Sequence, residues 1–211
     1  MLGETKQDWR TKRRADATAD IVRTAWELAR EHGLAGLSLR DLARQLGMAT
    51  PSLYSYFDSK NALYDAMFAD GYRAFLAMAP PAEGPDLRTI LRSGAQSYIQ
   101  FATEDPVRYL LLNQRSIPGF EPSREAFALA QEAYERVAAP LRTFADASQA
   151  DLDLAGAVIG GLISQQLSNE PGGNRWIRLL DEAVDLLVHR FETKTTRPAP
   201  ARGRRTKKGE S

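Results

Sequence analysis

Leu37-Ser-Leu-Arg-Asp-Leu-Ala-Arg-Gln-Leu-Gly-Met-Ala-Thr-Pro-Ser-Leu-Tyr-Ser-Tyr-Phe57 is the stretch on which the fold turns. Ser38 followed by Asp41 is a capping-box pattern at the start of a helix, with Asp in place of the longer Glu. Leu39, Leu42, Ala43 and Leu46 then recur at helical spacing and make one apolar face. Ala43 is small where a second helix must approach. Gly47 falls where the chain leaves the helix, a position that favours positive φ. Thr50 is expected as the next N-cap, with Pro51 at the first helical position. Leu53, Tyr56 and Phe57 give the second helix a buried side, and Met48 plugs the turn from within. Two short helices joined by a tight turn are the layout of a helix-turn-helix.

The face left outward by this pattern is Ala49, Thr50, Ser52, Tyr54 and Ser55. It is small and polar, carries one long hydroxyl, and suits entry into a DNA major groove. The helix N-termini after Ser38 and Thr50 offer free N–H groups to phosphates. Arg40 and Arg44 project from the first helix, and Lys60 opens the next one. Any αα-hairpin can carry an Ala-x-x-x-Gly turn. Here the apolar spacing, caps, glycine and proline all agree, which favours the DNA reading.

The flanks strengthen it. Ala19-Asp-Ile-Val-Arg-Thr-Ala-Trp-Glu-Leu-Ala-Arg-Glu-His-Gly33 is a helix that buries Ile21, Val22, Ala25, Leu28 and Ala29. Phe57-Asp-Ser-Lys-Asn-Ala-Leu63 follows the helix-turn-helix. From Ala15 to about Asp70 the chain resembles the N-terminal domain of TetR-family (tetracycline-repressor-type) transcriptional regulators. The resemblance implies a homodimer, a groove-reading third helix and a C-terminal effector domain. Carried over by position, it assigns DNA contact to Ser38, Thr50, Tyr54 and Lys60. Tyr56 departs from the pattern, since many members have His before the Phe.

The chain has 211 residues, enough for one large or two small domains. It has no cysteine and only two histidines, His32 and His189, far apart in sequence. That argues against a disulfide framework, a metal site or a histidine-based triad, and no cofactor is expected. Nothing builds a nucleophile–base pair or a nucleotide cradle, so an enzyme is disfavoured. The apolar run Ala157-Val-Ile-Gly-Gly-Leu-Ile163 is far short of a bilayer span, and no signal peptide is visible, so a cytoplasmic protein without membrane contact is expected.

Net charge is only +1, but its distribution is uneven. Residues 1–14 hold five Lys/Arg against two acidic residues, and 194–211 hold seven against one. Residues 15–193 are therefore acidic, with sixteen basic and twenty-four acidic side chains. The reading is an all-α chain in four parts: a flexible basic arm (1–14), a helix-turn-helix domain (15–60), an effector and dimerisation domain (61–193), and a disordered basic tail (194–211). Arg13 and Arg14 of the arm join the expected DNA contacts. Arg202-Gly203-Arg204 resembles an AT-hook core without its proline, and the tail adds salt-sensitive phosphate attraction.

Helices are expected over about 59–78, 86–104, 106–115, through 127–144 with a kink at Pro140, and over 149–169 and 174–193. Aromatic residues crowd the middle of this domain. Tyr72, Tyr98, Phe101, Tyr109, Phe127 and Tyr134 are candidate walls of an effector pocket, with Asn113, Gln114, Gln165 or Gln166 to orient a neutral or weakly charged ligand. The alternative is that these rings fill the core. The last two helices are apolar on more than one face. Gly156, Gly160, Ile163, Leu167, Trp176, Leu180, Val184 and Leu187 are the expected surface of a two-fold four-helix interface. The function expected is a repressor that binds a palindromic operator as a dimer and is released by a small hydrophobic or amphipathic effector. The competing reading is an architectural DNA-binding protein that relies on its basic tails.

Overall fold

A computed structural model describes residues 6–79 and 83–195, and among them only helices, turns and loops occur. The order is α1 (Lys6–Gly36), α2 (Leu39–Gln45), α3 (Thr50–Tyr54), α4 (Lys60–Met78), α5 (Leu87–Glu104), α6 (Pro106–Asn113), α7 (Arg124–Ala145), α8 (Gln149–Asn169) and α9 (Leu180–Thr195). A 3₁₀ turn at Ile177–Leu179 leads into α9.

The helix ends follow local chemistry. Ser38, Ser59, Asp86, Asp105 and Ser123 each cap a helix through a side-chain oxygen that accepts from a backbone N–H. Ser148 and Asp151 form a reciprocal capping box at α8. Gly47 takes φ 65° at the turn of the helix-turn-helix, as its position requires. Two expectations change. Thr50 is the first residue of α3 rather than its cap; Ala49 holds that place without a side-chain bond, because Pro51 has moved one position in. The last helix starts at Leu180, not Asn174, since Gln166 draws the preceding loop inward by accepting from the backbone N–H groups of Trp176 and Ile177. As expected, α7 runs through Pro140; it ends at Ala145, with Asp146 in the left-handed region.

The basic arm is also corrected. Residues 6–14 are not a flexible segment but the first turns of α1, which bends only at Gly33. The reason is local: Ala15, Ala17 and Ala19 carry good helix propensity backward, and no Pro or Gly interrupts Lys6–His32. The expected basic tail, 196–211, lies outside the described residues.

Burial divides into three connected cores. The first joins α1, α2, α3 and the start of α4, with Trp26, Leu42, Leu53, Leu63 and Met67 fully enclosed. The second joins α5, α7, α8 and α9 around Ile90, Leu141, Ile163 and Val184. A third, around Phe68, Phe75, Phe101 and Leu112, lies between them on α4, α5, α6 and α7. Helices α4 and α6 each serve two cores: Met67 and Leu111 face the first, Phe68 and Leu112 the third. The head and the larger domain therefore share α4 and α6 rather than a linker.

This packing revises the expected dimer surface. Ile163, Val184 and Leu187 are enclosed within the subunit, and Leu167 and Leu180 pack on the same core. Ile163, Val184 and Leu187 have no face left for a partner, while Leu167 and Leu180 stay half-buried. The second apolar face of the last two helices is used inside the chain, because α5 covers it. Trp176 is half-buried with Arg175 stacked on its ring, and Gly156 and Gly160 retain open space around them.

Candidate functional site

The helix-turn-helix presents its polar face on a rigid base. Leu42, Ala43 and Leu53 are fully buried and Phe57 nearly so, which fixes α3 against α2 and α4. Ala49, Ser52, Tyr54 and Ser55 are exposed on the other side, and Thr50 is half-buried at the start of α3. Tyr54 is half-exposed, with its hydroxyl free to meet a phosphate. Arg40 is exposed on α2 beside this face, whereas Arg44 is paired with Asp41 at 2.8 Å.

Three residues read as DNA contacts also hold the protein together. Ser38 accepts from Asp41 N as the cap of α2. Lys60 donates to the Ala35 carbonyl at 3.2 Å and lies over the Tyr64 ring. Arg14 donates to the Ser55 carbonyl at 2.6 Å and its guanidinium lies over the Tyr56 ring, 5.0 Å from its centre. The unusual Tyr56 is thus a platform for Arg14, which ties the N-terminal turns of α1 to the end of the recognition helix. Arg13 stays exposed and stacks on Trp9, itself exposed one turn earlier.

Behind the head, side chains from three helices form a charged joint. Trp26 Nε1 donates to Asp70 at 2.8 Å. Arg30 reaches Asp105 through Nε and Nη2, the shorter contact 2.6 Å. Arg108 lies over the Trp26 ring at 5.0 Å and within 3.5 Å of Asp70. At the same crossing, a Cβ on Gly71 would meet the Leu112 methyls at 3.0 and 3.1 Å, so glycine is what lets α4 and α6 touch. Sequence reading missed this joint. Its members are spread from Trp26 to Arg108, and only the close approach of Asp70 to Trp26 reveals it.

The larger domain holds a half-open cavity of about 280 Å³ among α4, α5, α6, α7 and α8. Of the expected pocket residues, Tyr72, Tyr98, Asn113 and Tyr134 line it. Phe101, Tyr109, Phe127, Gln114, Gln165 and Gln166 do not. Phe101 packs edge-on against Phe75 in the core, and Tyr109 sits behind Tyr98 with ring centres 5.8 Å apart. Phe127 and Gln165 point outward and are exposed. The residues that make room are small: Gly94, Ala95, Ala130, Ala133 and Gly156. Leu91, Leu152 and Ile159 supply apolar wall. A stripe of alanines reads in sequence as helix packing, so the void was not legible there.

No lining residue carries a formal charge. Burial pushes the Tyr72 phenol up to about 12, and burial together with neighbouring Tyr109 raises that of Tyr98 further. Tyr98 donates to Asn113 Oδ1 at 2.7 Å, and Tyr72 to the Leu112 carbonyl at 3.3 Å. Among the described residues no cluster of His, Cys, Asp or Glu is arranged to hold a metal, and no helix is long and apolar enough to cross a membrane.

Residues 21–67 match the family model described as bacterial regulatory proteins, tetR family. Over these residues the chain is similar to the tetR family. The matched segment runs from Ile21 to Met67 and so contains α2, α3 and the first part of α4. The HTH-type transcriptional regulator Rv1816 of Mycobacterium tuberculosis (strain ATCC 25618 / H37Rv) is 32% identical over 133 residues, 57% of this chain and 56% of that protein. The tetracycline repressor protein class C of Escherichia coli is 36% identical over 78 residues, 37% of this chain and 36% of the repressor. The chain thus spans little more than half the length of the first of these relatives and about a third of the second. Among solved structures, the putative regulatory protein SCO4313 superposes with a TM-score of 0.68 at 23% identity, covering 85% of this chain and 98% of that one. At that identity the likeness is one of fold. It reaches beyond the matched domain, through the helices that line the cavity.

Proposed function

We propose that this chain is a tetR-family transcriptional regulator that binds a palindromic DNA operator as a homodimer and is released from it by a small apolar effector held in the cavity, acting in the cytoplasm as a repressor. The observation that carries the reading is the polar face of α3, exposed on a base whose apolar residues are completely buried. A helix held so firmly presents side chains to base edges without first having to be ordered. Arg13, Arg40 and Tyr54 supply phosphate contact around it, while Arg14, Ser38 and Lys60 keep the reading face in place.

Dimerisation is supported by the outer face of α8 and α9. Leu154, Ala157 and Gly161 fall on one exposed row of α8, and Leu186 of α9 is 71% exposed. A Cβ added at Gly160 or Gly161 would meet nothing within 4 Å, so packing within the subunit gives no reason for either glycine. Glycine inside a helix costs roughly 0.5–1 kcal/mol relative to alanine. Close approach of a partner helix is a physical reason for retaining two in succession. Two recognition helices set about 34–36 Å apart would read half-sites one DNA turn apart. An uncharged, aromatic-lined cavity supports an apolar effector.

The test is capture of fragmented host genomic DNA by the purified protein at physiological salt, followed by sequencing. Recovery of a few fragments sharing a palindrome is the expected result. Broad, unpatterned recovery that vanishes with added salt would favour architectural binding instead.

A further inference from the structure

The hydrogen bonds on one wall of the cavity select among ligands. Tyr72, Tyr98 and Asn113 converge there. Asn113 Nδ2 donates to the Tyr109 carbonyl at 3.2 Å, which fixes the amide so that Oδ1 faces Tyr98. A carbonyl-type oxygen can only accept, so the Tyr98 hydroxyl must donate to it. The Tyr72 hydroxyl likewise donates to the Leu112 carbonyl. Both phenolic hydrogens are therefore committed to the protein; the neighbouring Tyr109 hydroxyl is also hydrogen-bonded to Tyr98, so each oxygen still offers a lone pair but the Tyr98 oxygen has only one left. Both rings are neutral near pH 7, as phenols ordinarily are, and burial raises their ionisation further. The donors that remain are at the exposed rim. Tyr134, 41% exposed, accepts from Gln149 Nε2 at 2.7 Å and keeps its own hydrogen, and Asn113 keeps one amide hydrogen on an exposed side chain.

We propose that the effector is an uncharged, largely apolar molecule with a hydroxyl or N–H that it donates to the Tyr72 and Tyr98 oxygens. This rests on the reading of the cavity as the effector site and names the class of ligand it takes. An ether or ketone in that position sets acceptor against acceptor and gains no hydrogen bond there. A carboxylate finds no cation on the lining, and an ammonium finds no anion.

The test is isothermal titration calorimetry of the full chain with three probes of one shape: para-butylphenol, para-butylanisole and para-butylbenzoate. The phenol is expected to bind at least tenfold more tightly than the anisole, and the benzoate to give no binding at neutral pH. The double variant Tyr72→Phe/Tyr98→Phe should lose that preference while keeping the anisole affinity. Gly156→Leu, which projects a side chain into open space on the cavity lining, should abolish binding of both. Equal or tighter binding of the anisole, or tightest binding of the benzoate, overturns the donor rule and leaves a ligand cavity standing. A phenol preference that survives in both variants also overturns it, since the probe is then bound elsewhere. No binding of phenol or anisole up to millimolar concentration overturns the cavity reading and this proposal together.

Discussion

The head and the domain behind it use apolar residues in opposite ways. In the head, Trp26, Leu42, Leu53, Leu63 and Met67 are enclosed at 2% exposure or less, and every apolar face on the helix-turn-helix meets another. The larger domain buries as well, but it keeps a space of about 280 Å³ behind small residues and half-exposed aromatics. A close-packed head gives a reading face of fixed shape. A domain with a void has room to repack, and α4 and α6 are shared by the core beside it and the core of the head.

Truncation tests this contrast most severely. Leu53→Ala removes a fully buried side chain at the centre of the helix-turn-helix and should cost about 2–5 kcal/mol. Val137→Ala on the cavity wall only enlarges existing space and should cost less than about 1.5 kcal/mol. Urea denaturation followed by circular dichroism measures both. Equal losses would mean that the two regions are packed alike.

The joint between them comes next. Asp70→Ala removes the acceptor of Trp26 Nε1 and a neighbour of Arg108, leaving a largely buried donor unpaired. A loss of about 1–3 kcal/mol is expected. More telling, addition of ligand should shift the operator affinity of this variant less than that of the parent. An unaltered ligand response in a DNA-binding titration would remove Asp70 from the connection.

On the surface of the head, Arg40→Ala should weaken operator binding at all sequences and lower the slope of log affinity against log salt by about one. Arg44→Ala should change that slope less, because Asp41 already pairs with Arg44. Gel-shift titration over a salt series separates them.

Filling the void works in the opposite direction. Gly156→Leu replaces a helical glycine whose added carbon meets nothing, and should raise stability by about 0.5–1 kcal/mol while blocking ligand entry. A lowered melting temperature would mean that the cavity wall has no room for the longer side chain.

The smallest effect is on pH. The Asp86 carboxylate is held below its ordinary value chiefly by the Thr89 backbone N–H, and Asp181 chiefly by its hydrogen bond from Arg92. A depressed folded value means that the stabilisation is complete above the unfolded-state value and is lost as pH falls through the folded one, below about 4. Both groups sit on the larger domain, one capping α5 and the other joining α9 to it. Asp86→Asn keeps a capping oxygen without the titration. Its thermal stability should fall less steeply between pH 5 and pH 3 than that of the parent.

What the sequence alone determined is local in origin. The caps at Ser38 and Ser59, the turn at Gly47 and the apolar spacing of Leu39, Leu42, Ala43 and Leu53 rest on contacts within a few residues. Their chemistry is written in consecutive letters, and so the helix-turn-helix, its exposed face and the all-helical class were legible. The tertiary structure decided which apolar face goes where. Ile163, Val184 and Leu187 have the spacing of an outer stripe, but α5 lies against them and makes them core. Phe127 and Gln165 share helices with cavity residues yet point away. Helical periodicity says that residues share a face and not which neighbour the face meets. That neighbour is set by the packing of helices distant in sequence, as are the cavity left between Gly94, Ala133 and Gly156 and the joint of Trp26, Asp70 and Arg108.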